Sequence, residues 1–129
     1  MLRDVLLFAS AVEAGTGLAA MVTPVLVVRL LLGADLAGAG VPLGRCFGIA
    51  ILALAVACWP TAKHVEAGAP ATRAMLVYNV LIAAYLGWLG ATGKFDGPLL
   101  WAAVAVHAVV ALLLAYAWRN PRRNAGSME

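Results

Sequence analysis

The chain has 129 residues, of which 64% are hydrophobic and 12% charged, with a mean hydropathy of +0.95, a balance that excludes an ordinary soluble domain and puts the chain in the membrane class. Its formal charge of +3 is small and its arginines gather near expected helix ends, which reports topology and not nucleic-acid binding. Cys46 and Cys58 fall near opposite ends of one expected helix, about 18 Å apart at a rise of ~1.5 Å per residue, too far for a disulfide within the chain, and read as packing thiols.

In chain order, four segments approach the ~20 residues needed to cross ~30 Å of hydrocarbon: 2–22, 42–59, 71–91 and 99–118. The first contains "FASAVEAGTGLAAM", in which Glu13 stands where hydrocarbon is expected, followed by Gly15, Thr16 and Gly17. Arg3 before an apolar run, with small residues after it, invites comparison with a secretory signal peptide, but a carboxylate in the apolar region argues against one. Ser10, Glu13 and Thr16 recur at three-residue intervals and form a small, polar stripe on one face of the helix.

The first connection is punctuated by Pro24, Gly33, Gly38, Gly40 and Pro42. Its apolar run "PVLVVRLLLG", 24–33, is too short to span and carries Arg29, so it reads as an interfacial helix, with a re-entrant turn as the alternative. The second span opens on Gly40, Gly44 and Gly48, a small-residue ridge suited to close packing inside the bundle or between protomers, with Arg45 beside it. Prolines bound the next connection, 60–70, and "GKFDGP", 93–98, forms the last. The expected fold is an all-α, four-helix antiparallel transmembrane bundle with a short interfacial helix after the first span, forming one transmembrane domain, 1–129.

Orientation follows from the cations. Arg3, Lys63, Arg73, Arg119, Arg122 and Arg123 share the side of the termini, while Arg29, Arg45 and Lys94 lie on the other, so six against three places both termini in the cytoplasm of a bacterial inner membrane. Trp59 and Trp118 at inner helix ends, and Trp88 and Trp101 at outer ends, agree with an aromatic belt.

Counting from the outer helix ends at ~1.5 Å per residue, Glu13 is about 13 Å deep, His107 about 12 Å, Tyr85 about 9 Å, Arg45 about 5 Å and Asn79 about 18 Å. Facing lipid, an ionisable group at such depth costs several kcal/mol, so these groups are expected to face the interior and one another. Glu13 with Arg45 is the first pairing expected and Glu13 with His107 the second. His107 itself stands among Ala103, Ala111 and Ala115 at four-residue intervals. The functional reading of Glu13, Arg45, Asn79, Tyr85, His107 and Thr16 is an outward-opening polar pocket that binds a ligand, a quinone or a proton. The structural reading is a polar knot that fixes helix register and performs no chemistry. Tyr78 and Tyr85, seven apart, share a face and read as packing residues.

Other chemistry finds little footing. A bundle-bound haem commonly takes two axial histidines, and His64 lies in a connection, so haem within one chain is disfavoured, although a dimer supplies two copies of His107. The sequence has no metal-ligand cluster, HExxH, CxxC, P-loop or dinucleotide-binding glycine pattern, and it does not settle whether the protein is an enzyme.

A polar residue within the first span, the proline after it in "TPVLVVRLLLG", and a second span opening with "PLGRCFGIAILALA" together resemble the layout of the DoxX-like families of small bacterial four-helix membrane proteins. The resemblance covers most of the chain as architecture and implies a link to quinone or redox chemistry, since some members of that group are associated with quinone-linked sulfur oxidation. It carries over no catalytic residue. Three functions follow as expectations: a pocket for a small ligand or quinone serving a redox partner, a proton-coupled carrier, or an accessory subunit of a larger membrane complex. A homodimer is expected to suit so small an interior.

Overall fold

A computed structural model describes residues 1–61, 65–66 and 68–120; Lys63, His64, Arg122 and Arg123, on which part of the sequence reading rests, lie outside the described residues. The described chain is all helical, and four of its helices are long and apolar enough to span a bilayer. In hydrocarbon a backbone N–H or C=O has no water to bond, so a helix, which pairs these groups internally, is the form such segments take.

Helix α1 (Leu2–Val22) ends where Pro24 disfavours helical geometry at Thr23, whose φ of −136° and ψ of 69° turn the chain aside. Pro24 then opens the short helix α2 (Pro24–Leu32), and Gly33 closes it in the left-handed region at φ 67°. Helix α3 (Gly40–Ala57) returns across the molecule, α4 (Pro70–Ala91) again begins on a proline, and α5 (Leu100–Arg119) completes the bundle. These bounds lie within about two residues of the expected spans.

The spans associate as two antiparallel pairs, α1 with α3 and α4 with α5. In the first pair the backbones nearly touch. A Cβ on Gly48 would stand 2.6 Å from the Met21 nitrogen and 2.7 Å from the Gly17 oxygen, and one on Gly17 would stand 2.8 Å from the Leu52 nitrogen. The ridge of Gly40, Gly44 and Gly48 is therefore taken up inside the chain, with Gly44 against Pro24 and Gly40 against Leu36. In the second pair Gly90 lies beneath Leu100 and Trp101.

The two pairs join differently at their two ends. Toward the terminal end, Leu2, Leu6 and Ala9 of α1, Cys58 after α3, Met75 of α4, and Val110, Leu114 and Ala117 of α5 form a continuous buried core. There the Cys58 thiol also donates to the Ala71 carbonyl at 3.4 Å. At the opposite end α2 packs on α1, α3 and α5, and the Leu99 N–H donates to the Leu30 carbonyl at 2.9 Å. Gly97 presses on the Leu30 and Leu31 backbone, an approach that leaves no room for a side chain. Between these ends α3 and α4 are not packed along each other, so the bundle is solid on one side of mid-depth and hollow on the other.

Candidate functional site

Glu13 occupies the buried face of α1 with Ser10, Gly17 and Ala20, a spacing of three and four that keeps all of them on one side of the helix. Glu13 as a whole is only 2% exposed. Such a group needs partners, and two other helices supply them. The Tyr78 hydroxyl of α4 donates to Glu13 Oε2 at 2.9 Å, and His107 Nδ1 of α5 stands 3.7 Å from Glu13 Oε1. That second distance is too long for a hydrogen bond but suits charge attraction whenever the imidazole takes a second proton and becomes cationic. The Tyr78 and His107 rings meet edge to face, with centroids 5.8 Å apart at 77°.

Asn79 completes the group. It is 1% exposed and lies on the buried stripe of α4 with Thr72 and Met75. Its Nδ2 donates to the Met75 carbonyl at 2.8 Å, and its Oδ1 stands 2.9 Å from His107 Nδ1. A continuous polar chain thus runs from Tyr78 through Glu13, His107 and Asn79 to the α4 backbone, and it stands directly above the apolar core.

The pairing of Glu13 with Arg45 expected from depth is corrected: Arg45 is exposed and Glu13 bonds to Tyr78 instead. Helix α3 turns Gly48, Ile51 and Ala55 inward and sets Gly44 against Pro24; one residue further on, about 100° around the helix, Arg45 points away. Tyr85 is 57% exposed and leans on Trp88, outside the polar chain. Thr16 is half-buried and also outside it. Tyr78, read as a packing residue, proves to be the carboxylate's hydrogen-bond donor. Its place next to Asn79, on a helix otherwise poor in polar groups, was the available signal.

Above the polar chain lies a cavity of about 580 Å³, bordered by all five helices and the turn before α5. His107, Tyr78 and Thr16 form its inner end, Phe47 and Ile51 of α3 and Ile82 and Tyr85 of α4 flank it, and α2 with Phe95 and Leu99 roofs it. The expected polar pocket is thus a largely apolar chamber, with His107, Tyr78 and Thr16 at its inner end and Tyr85 on its flank. Phe47 and Tyr85 line it while remaining 52% and 57% exposed, so the chamber opens sideways through the gap between α3 and α4. The short helix α2, expected only to lie at the interface, roofs the chamber with Pro24, Val27, Val28, Leu31 and Leu32, residues that recur at helical spacing.

Chemically the arrangement combines an imidazole that can take or give a proton, a carboxylate placed to stabilise the protonated form, and an apolar space beside them. Comparison with known proteins adds no relative: no family model, curated protein or solved structure matches the chain.

Proposed function

We propose that this membrane protein binds a small lipophilic molecule, a quinone or a ligand of similar shape, which enters from the bilayer between α3 and α4 and sets its polar head against His107 and Tyr78. The observation that carries this reading is the chamber of about 580 Å³, mostly apolar in its lining, with His107, Tyr78 and Thr16 at its inner end. Sites for small organic molecules are commonly ~300–1,000 Å³, mostly apolar, with a few convergent polar groups. The lateral gap supports a ligand already dissolved in lipid, since Phe47 and Tyr85 give the mouth an apolar, aromatic edge. Service to a redox partner and kinship with the DoxX-like group belong to the same proposal, and their support is the layout of the chain.

The test is extraction. Protein purified gently into lipid nanodiscs should retain a membrane-soluble molecule, found by mass spectrometry at near-stoichiometric amount and depleted from a folded Ala103→Phe variant, whose new ring fills the chamber. Equal recovery from both proteins, or recovery of bulk lipid only, overturns the proposal.

The Glu13–His107 approach of 3.7 Å also favours a second reading, proton-coupled carriage, because a carboxylate beside an imidazole is a place to hold a proton within a membrane. Substrate-driven proton flux in liposomes that vanishes in Glu13→Gln would establish it over simple binding. The orientation we propose, both termini in the cytoplasm of a bacterial inner membrane, rests on the cation bias. A reporter that works only in the cytoplasm should be active when fused after Glu129, and activity of a periplasmic reporter there would reverse it.

A further inference from the structure

The hydrogen-bond directions within the polar chain determine what kind of head group it accepts. The Met75 carbonyl can only accept, so the Asn79 atom 2.8 Å from it is the amide nitrogen, and the atom facing His107 at 2.9 Å is the amide oxygen. That oxygen also only accepts. Nδ1 of His107 therefore carries the proton, and in the neutral imidazole Nε2 is a bare lone pair. Among the described residues no protein group bonds to Nε2, and the residue borders the chamber. Tyr78, which also borders the chamber, has likewise committed its one proton, to Glu13 Oε2, so its phenolic oxygen has lone pairs only left to offer.

Thr16 and Tyr85, the other polar residues on the chamber wall, carry hydroxyls that donate or accept, but His107 and Tyr78, the two members of the polar chain that border it, are thus acceptors. A ketone or quinone oxygen brought against them would face lone pair against lone pair, and a buried acceptor without a donor is unfavourable by about 1–3 kcal/mol. A hydroxyl satisfies the site. Phe47, Phe95 and Tyr85 in the chamber wall add surfaces on which a flat ring packs.

Resting on the ligand-binding reading above and narrowing it, we infer that the chamber selects a phenolic head group, that of an alkylphenol or a hydroquinone, which donates its hydroxyl proton to His107 Nε2, over the corresponding ether or quinone. Asn79 is then a positioning residue, because its oxygen fixes which imidazole nitrogen is free.

The probes are para-octylphenol and para-octylanisole, alike in ring and chain and different only in the hydroxyl proton, together with a decyl hydroquinone and its quinone. Binding is measured in nanodiscs by quenching of intrinsic tryptophan fluorescence, with light scattering to confirm that each variant is folded. Wild type should bind octylphenol at least tenfold more tightly than octylanisole, and the hydroquinone more tightly than the quinone. His107→Phe should bring the phenol-to-ether ratio below threefold while ether binding persists. Should that variant fail to fold, Asn79→Leu and nitrogen NMR of the wild-type imidazole serve instead: the empty protein should show the proton on Nδ1, and Asn79→Leu, which removes the oxygen that holds it there, should lower the phenol-to-ether ratio. Equal or tighter binding of octylanisole, or a proton resident on Nε2, overturns the inference while leaving the ligand-binding reading in place. Failure of all probes to bind overturns both.

Discussion

The Tyr78 hydroxyl and the Glu13 carboxylate meet at 2.9 Å across 65 residues of sequence, joining one antiparallel helix pair to the other at mid-depth. Below this bond the pairs share a packed core, and above it they separate around the chamber. The bond therefore marks the boundary between the two halves of the bundle.

Removing either partner should loosen that boundary. Tyr78→Phe should lower stability by about 1–2 kcal/mol, the scale of a buried hydrogen bond to a charged group moderated by the membrane setting. Glu13→Ala should be worse than Glu13→Gln, which retains an acceptor for the Tyr78 hydroxyl. In a double-mutant cycle read by thermal unfolding in detergent, Tyr78→Phe should add little to Glu13→Ala. Full additivity would show that the bond contributes nothing.

Arg45→Ala should be mild, within ~0.5 kcal/mol of wild type, because the guanidinium is exposed and takes no part in the polar chain. A loss as large as that of Glu13→Ala in the same unfolding assay would restore the pairing that the structure corrects.

Gly48→Ala should destabilise by roughly 1–3 kcal/mol, the range for forcing atoms into a filled space, since the new Cβ meets backbone atoms of Gly17 and Met21 that cannot turn aside. Gly15→Ala, whose Cβ meets nothing within 4 Å, should be neutral or stabilising by up to ~1 kcal/mol through helix propensity. Matched melting curves of the two variants provide the comparison, and a loss in Gly15→Ala equal to that in Gly48→Ala would contradict the close crossing of α1 and α3.

Ser10→Ala should hold or raise stability, by up to ~1 kcal/mol, because the Ser10 hydroxyl is buried with no hydrogen-bond partner among the described residues and its removal abolishes an unmet desolvation penalty. A clear fall in melting temperature would assign that hydroxyl a partner.

Much of this architecture was legible in the sequence because its signals are local. Pro24, Pro70 and Gly33 announced helix ends, and the length of the apolar runs announced spans. Depth along a helix was legible too, and it brought Glu13 near His107. Azimuth was not: Arg45 lies at a depth that permits contact with Glu13, but one residue of rotation carries it away from the interior, and a table of depths contains no angle. Tyr78 was misread for a different reason, since a tyrosine in a membrane helix serves equally as packing surface and as donor until its neighbour is known. The chamber had no residue signature at all, because it is space left by the failure of α3 and α4 to close on each other, a property of helix placement.

The core of Leu6, Met75 and Leu114, each fully buried, seals the floor beneath the polar chain and makes the chamber a cul-de-sac. Under the proposed lateral entry, a molecule that comes in between α3 and α4 passes the exposed Phe47 and Tyr85 at the rim, and passage on to the far face of the membrane would require those three side chains to part.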